Sequence, residues 1–367
     1  MKALNSEDPY ASIRSIQSTR RRRRAGRRKI ATRVTLKEIA RHAGVSPATV
    51  SLVLRSSPLV AKTTQVRVQL AMDELGYVYH RAAANLRAGS TETIGLLVSE
   101  ITNPFYAELT AGIDAALDRA GWVAFLANAG ESPARQDRFI ERMREQRVDG
   151  LLLCPAEGTL PDAIQRLRQV GLPCVQMLRH VDGGMRDYVS PDYQLGMTLA
   201  VDHLVGLGHR RIAYVGGGRR TSAAQERAAG YREALARHGL PIGPVVDCLP
   251  TREAGAHAVA MLLRGIPSDP TAVLCYNDIC AFGVMLGLTD KGIVPGRHCA
   301  VVGFDDVVES AYCRPALTTL AARPREIGEA AATLLLHRIK APDARAERII
   351  LPPRLIVRDS CGANDRQ

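Results

Sequence analysis

No run of about 18 apolar residues, the length a membrane-spanning helix needs, occurs in this 367-residue sequence. The N-terminus also lacks the apolar core of a secretory signal peptide, and the two absences predict a cytoplasmic protein. Cysteines stand singly, at Cys154, Cys174, Cys248, Cys275, Cys280, Cys299, Cys313 and Cys361. None forms a C-x-x-C pair or joins a Cys/His cluster of zinc spacing, so buried free thiols are expected, not a metal site or a disulfide framework. No Ser/His/Asp order, paired-carboxylate signature or metal motif stands out, which predicts no enzymatic chemistry and no cofactor. Gly216-Gly217-Gly218-Arg219-Arg220 lacks the Lys-Ser/Thr ending of a nucleotide loop and reads as a turn from a strand into a pocket loop. His209, in G-H-R-R-I, reads as structural.

Charge is what the chain has in excess, and it is unevenly placed. Residues 1–92 hold 18 Lys and Arg against 6 Asp and Glu, while the remainder holds 31 of each, so the whole formal excess of +12 sits at the start. A basic segment of this kind neutralises nucleic-acid phosphates without reading sequence. Its densest part, residues 20–29, R-R-R-R-R-A-G-R-R-K, has no apolar periodicity and is expected to be a disordered tail spanning 1–32.

Residues 34–53, V-T-L-K-E-I-A-R-H-A-G-V-S-P-A-T-V-S-L-V, read as two short helices around a sharp turn. Thr35 and Glu38 are spaced as a capping box. Leu36, Ile39, Ala40 and Ala43 make one apolar face, Gly44 ends the helix, and Ser46 caps a second one with Pro47 in its first turn. Val50, Val53 and Leu54 are expected to face back onto the first helix. The pattern fits a helix-turn-helix, whose second helix enters a DNA major groove, and equally an ordinary helical hairpin. A third helix is predicted over 60–77, with Val68, Ala71, Met72 and Leu75 on one face and Gly76-Tyr77 at its end.

From Thr93 the periodicity changes. Strand-like runs at 94–98, 122–126, 150–154 and 173–177 alternate with helical segments at 105–120, 134–146 and 160–170. The alternation repeats with strands at 212–215, 272–275 and 299–304 and helices at 196–206, 223–238, 254–263 and 279–291. A strand at 317–321 and a helix at 326–339 are expected to cross back to the first half. Alternation of this kind predicts two doubly wound lobes with helices on both sheet faces.

Together these segments resemble the LacI/GalR family of bacterial transcription regulators. The matches are T-L-K-E-I-A-R-H-A-G-V-S-P-A-T-V-S, L-G-Y, A-N-L-R, I-G-L-L-V, N-P-F-Y, G-H-R-R-I-A-Y-V-G-G, N-D-I-C-A-F-G, V-V-G-F-D-D and P-A-L-T-T-L, in family order over nearly the whole chain. The resemblance implies an all-α helix-turn-helix DNA-binding domain at 33–79 and a hinge helix at 80–92. It also implies a two-lobed, periplasmic-binding-protein-like α/β effector domain at 93–360. Lobe one would be about 93–190 and 320–350, and lobe two about 191–319 and 351–360. The basic tail precedes the usual start of the family pattern, which is a departure from it.

By the same resemblance, Pro47, Ala48 and Leu52 would lie against base edges. All three are apolar, so they would read thymine methyls and groove shape. Thr49, Ser51, Arg55 and Lys62 suit phosphates, and Thr35 and Ser46 complete the DNA-facing set. Thr49 and Ser51 also suit hydrogen bonding within their own helix. Leu86 falls where the family wedges a leucine into a minor-groove step. The basic residue usual two positions earlier is Ala84 here, with Arg87 and Arg81 nearby.

Effector candidates follow predicted strands: Asn103, Phe105, Tyr106, Arg179, Asp192, Arg227, Asn277 and Asp305. By resemblance Arg227 points into the cleft. Asn103, Asn277 and Asp305 each also suit a helix N-cap. Carboxylates, amides and arginines around one aromatic platform suit a polyhydroxylated sugar; Arg179 and Arg227 equally admit an anion such as a sugar acid. The expected protein is a cytoplasmic, nucleoid-associated repressor. It would bind a palindromic double-stranded operator as a homodimer, since six residues after Cys361 are too few for a tetramerising heptad segment. A transporter's solute-binding protein would carry a secretory signal and no basic head. An enzyme on this fold would carry a catalytic constellation.

Overall fold

The computed structural model describes residues 34–54, 57–77, 90–181, 186–216, 220–263 and 269–363, which divide between two units, 1–84 and 85–367. The expected tail at 1–32 and most of the expected hinge, with Ala84, Leu86 and Arg87, lie outside the described residues, as does Arg55.

Three helices make the first unit: α1 (Leu36–His42), α2 (Pro47–Leu54) and α3 (Lys62–Glu74). The capping box at the start of α1 is complete: the Thr35 hydroxyl accepts from the Glu38 amide, and the Thr35 amide donates to the Glu38 carboxylate at 2.7 Å. The same backbone hydrogen bond holds the Glu38 carboxyl below its ordinary value. Gly44 takes the left-handed conformation, φ +63°, that lets the chain turn, and the Ser46 hydroxyl then accepts from the Thr49 amide at 3.1 Å. Ile39, Ala40, Val50, Val68, Ala71 and Met72 close the core between the helices. Complete burial of Ile39 and Val50 contributes about 1.5–3 kcal/mol each. The third helix is shorter than the 60–77 expected. Ala61 is extended, with Val60 packed down ahead of the helix, and the Tyr77 amide closes the far end on the Met72 carbonyl at 2.9 Å.

The second unit begins with lobe one, a six-stranded parallel sheet whose strands lie in the order 348–351, 188–191, 174–177, 150–153, 93–98 and 123–128. Its elements are β1 (Thr93–Val98), α4 (Pro104–Ala120), β2 (Val123–Asn128), α5 (Pro133–Glu145), β3 (Gly150–Leu153), α6 (Pro161–Gln169), β4 (Cys174–Met177) and β5 (Tyr188–Pro191). Lobe two follows with α7 (Tyr193–Gly206), β6 (Ile212–Val215), α8 (Ser222–Arg237), β7 (Val245–Val246), α9 (Arg252–Leu262), β8 (Ala272–Cys275), α10 (Asp278–Asp290), β9 (Ala300–Asp305), α11 (Glu309–Tyr312) and β10 (Thr318–Ala321). The chain then returns through α12 (Pro324–Lys340) and β11 (Arg348–Leu351) to lobe one, and ends in lobe two with β12 (Arg354–Ile356). The second sheet runs β12-β10-β9-β8-β6-β7 and is parallel except for β12 against β10.

Central strands are buried on both faces, as a parallel sheet between helix layers requires. Between helices α4 and α12 the backbones nearly touch. A Cβ on Gly112 would lie 2.1 Å from the Arg325 carbonyl oxygen, and one on Gly328 would lie 2.2 Å from that of Leu109.

Two sequence expectations change. The return to lobe one does not begin at 320. Pairing of Ala321 with Asp305 keeps β10 in the second sheet to its end, and the crossing follows at 322–323. Strands β5, β7, β11 and β12 went unread: β7 and β12 are only two and three residues long, Ser190 and Pro191 interrupt the apolar run of β5, and β11 opens on Arg348 after a charged stretch.

Candidate functional site

On the first unit, α2 divides its side chains cleanly. Val50 is buried, Val53 and Leu54 are partly buried, Pro47 and Ala48 are exposed, and Thr49, Ser51 and Leu52 are half-buried. Ser46, Thr35 and Lys62 are exposed beside them. Neither Pro47 nor Ala48 carries a side-chain donor or acceptor, so contact through them is limited to apolar groups and shape. The Thr49 hydroxyl sits 2.9 Å from that of Ser46, the local bonding the sequence left open, and Thr35 is engaged in its capping box.

In the second unit the strand ends of the two sheets face each other. Arg227, on α8, is 4% exposed and has its guanidinium carbon 3.9 Å from the Tyr193 ring centroid, 4.3 Å from Tyr276 and 4.5 Å from Phe304. Its terminal nitrogen is 3.9 Å from Asp305. Such desolvated cation–π contacts are worth about 2 kcal/mol or more. Burial pushes the Asp305 carboxyl well above the usual carboxylate range, against the pull of Arg227 and of a hydrogen bond from Asn103. Asn103 begins α4, so that pull reaches Asp305 from lobe one.

Arg179, from lobe one, is already paired. Two of its nitrogens meet the two Glu131 carboxylate oxygens at 2.8 and 3.0 Å, and it also donates to the Pro155 carbonyl. The Tyr106 phenol turns into lobe one against Ser99 and Cys154, and burial raises its pKa well above the ordinary value. The Tyr106 hydroxyl is therefore engaged inside lobe one. Phe105 instead lines a cavity of about 340 Å³ with Pro104, Asp305, Val307, Arg323 and Pro324.

Three expected polar contacts spend an oxygen on the backbone. Asn103 caps α4, Asp192 caps α7 and Asn277 caps α10, accepting from the amides of Phe105, Leu195 and Cys280. Each adjoins the Arg227 cluster, Asp192 before Tyr193, Asn277 after Tyr276 and Asn103 near Asp305, and capping leaves the amide groups of Asn103 and Asn277 as donors. Asp305 caps no helix; it ends β9 with φ 119°.

The sequence reading missed the aromatic box and the lobe-to-lobe contacts. Tyr193, Tyr276 and Phe304 are each next in sequence to a residue that was chosen, Asp192, Asn277 and Asp305. The rule that strand ends carry ligand groups reaches them. Glu131, just beyond β2, was open to the same rule. The lobes meet where the His180 amide donates to the Ser222 hydroxyl at 2.8 Å and the Arg220 amide to Glu157 at 3.0 Å. The His180 ring also lies 3.4 Å from Glu226. These pairs join segments that no local pattern links.

Residues 35–79 match the model of bacterial regulatory proteins of the lacI family, and residues 201–361 match a periplasmic binding protein-like domain. The chain is 33% identical over 332 residues to the HTH-type transcriptional repressor PurR of Vibrio campbellii, covering 89% of this chain and 98% of that one. The chain belongs to the LacI family. To the ribose operon repressor of Escherichia coli it is 35% identical over 328 residues, with coverages of 89% and 99%. The crystal structure of the Lac repressor dimer bound to operator and the anti-inducer ONPF superposes with a TM-score of 0.81 at 27% identity, over 90% of this chain and 99% of that one. This LacI-family regulator thus combines a helix-turn-helix head with a two-sheet domain of the periplasmic-binding type.

No helix among the described residues is long and apolar enough to cross a membrane, and no group of His, Cys, Asp and Glu among them is arranged to hold a metal ion.

Proposed function

We propose that this chain is a cytoplasmic repressor that binds its operator as a homodimer and changes DNA affinity when a neutral, polyhydroxylated small molecule closes on the cleft between its lobes. The observation that carries the ligand class is the bidentate Arg179–Glu131 pair: the cation that would receive an anionic ligand is occupied. The guanidinium of Arg227 is similarly covered by three ring faces and Asp305. The side-chain amides of Asn103 and Asn277 and the apolar faces of Phe105 and Val307 then remain as directional hydrogen-bonding groups and apolar walls, which suits sugar hydroxyls and ring faces. The ribose operon repressor among its relatives favours the same class.

Dimerisation is supported by apolar surface on both lobes. On the edge strand β2, Val123 and Phe125 point outward together, and on lobe two Leu286 and Tyr312 are exposed beside a hollow of about 450 Å³ lined by Phe282 and Met285. The Lac repressor likeness is to a dimer on its operator.

A thermal-shift screen of neutral pentoses and hexoses against their sugar acids tests the ligand class, with capture of genomic fragments run alongside. Neutral sugars are expected to raise the melting temperature, and one DNA sequence family is expected to be enriched. Glu131→Gln, which frees Arg179, is expected to move the preference toward sugar acids. Stabilisation of the parent protein by sugar acids alone overturns the neutral-ligand reading.

The basic N-terminal segment supplies sequence-independent affinity. Removing residues 1–33 is expected to weaken binding to random DNA and to flatten its salt dependence, the slope falling by roughly 0.9 for each phosphate that is no longer neutralised. Altered operator preference with random-DNA affinity intact would contradict this.

A further inference from the structure

Asp278 is the first residue of α10, directly after the Asn277 cap, and its side chain is fully buried. Its carboxylate accepts from the Val307 amide at 3.0 Å, from the Ser310 hydroxyl at 2.7 Å and from the Thr319 hydroxyl. Those donors belong to three segments: the loop after β9, the short helix α11, and β10. Space for the carboxylate exists because β9 has glycine at 303; a Cβ there would lie 2.1 Å from the Asp278 oxygen. One buried group therefore ties the helix that presents Asn277 to the loop that starts with Asp305, and both to the strand that leads into the crossing at 322–323.

We infer that Asp278 is a positioning residue that couples proton uptake to closure of the 305–310 loop, and so sets how Asp305 is presented to the cleft. The electrostatic surroundings support it. Asp305 and Asp306 face Asp278 from the loop, and the Cys313 thiol faces it from beyond α11. The nearby cation, Arg358, is held by Asp306 at 2.7 Å and by the Leu317 carbonyl at 2.8 Å. Among the described residues no cation pairs with Asp278. Burial pushes its carboxyl from 3.8 up to about 7, against the three donors that pull it down.

The sign follows from linkage. In the closed loop burial holds the carboxyl up at about 7; opening would admit water and return it toward the ordinary 3.8. The closed loop holds the proton, so closure is strongest at low pH, weakens as pH rises from about 4 to about 7, and is constant above that. The opening equilibrium changes by up to about tenfold per pH unit inside this window. The coupling stands on the loop geometry; only its consequence for ligand binding rests on reading Asp305 as an effector contact.

The test is amide hydrogen exchange of the full ligand-free chain from pH 5 to 8, corrected for intrinsic rates. Protection at Val307 and Ser310 is expected to fall toward pH 7 and then level off. Amides of β1 in lobe one should not share that profile. Asp278→Asn, which keeps the shape and cannot ionise, is expected to abolish the pH dependence. Thr319→Val, which removes one donor, is expected to move the window upward and serves if the first variant does not fold. Identical profiles in wild type and Asp278→Asn, an unmoved window in Thr319→Val, or the same change in β1, would overturn the proposal. A failed sugar screen with these profiles intact would count against the proposed ligand and leave the loop coupling standing.

Discussion

Arg227→Met is expected to weaken effector binding by roughly a hundredfold or more and to lower the melting temperature. Methionine fills much of the volume, so the change isolates the guanidinium. Loss of the cation removes its stacking on three rings, at 3.9 to 4.5 Å, and leaves Asp305 buried without its partner. Each desolvated cation–π contact is worth about 2 kcal/mol or more, and each 1.4 kcal/mol is about tenfold in affinity. The separate DNA-binding unit should stay folded, since its core draws on none of these residues. Calorimetric titration with the sugar identified by screening, melting curves and operator binding by gel shift measure the three effects. Asp305→Asn is the companion variant: it removes the buried carboxyl but keeps a hydrogen-bonding group of the same shape, and should cost less stability. Unchanged sugar affinity in folded Arg227→Met protein would remove Arg227 from the site.

Gly112→Val should be among the most destabilising single changes in lobe one. Its side chain would have to enter the 2.1 Å gap to the Arg325 backbone oxygen, and a backbone atom at the start of a packed helix cannot swing aside as a flexible side chain can. Separating α4 from α12 opens their shared core around Leu109, Ile113, Ile327 and Ala331. Overpacking of this kind costs about 3 kcal/mol or more, which for a domain of this size lowers Tm by roughly 6–12 °C. The consequence reaches the cleft, because α4 begins with Asn103 and Phe105 and α12 follows the lobe crossing. Differential scanning calorimetry decides it; a Tm within a degree of wild type would show that the helices do not cross here as described.

Much of this protein was legible without coordinates. The DNA-binding head was, because its determinants are local: Thr35 and Glu38 three residues apart, Gly44 where φ must be positive, and apolar residues repeating at the helical period. The two-lobed fold was, because long strands and helices alternate with clear periodicity. Arg227 was expected at the cleft from the family resemblance and Asp305 from the rule that ligand groups collect at strand ends; the structure sets the two 3.9 Å apart. Other features depend on segments far apart in the chain. Arg179 reads in sequence as a free cation; Glu131, 48 positions earlier, occupies it. Phe105 and Tyr106 read alike as aromatic candidates, and packing turns the Tyr106 phenol toward Cys154, 48 positions later. Asp278 follows a predicted strand by three positions, and is a buried tether because Val307, Ser310 and Thr319 converge on it. Local sequence sets which elements form and where polar groups sit at their ends. Whether such a group is free, paired or buried is decided by which distant segment packs against it, since the cost of desolvating a charge or a hydroxyl is set by that neighbour.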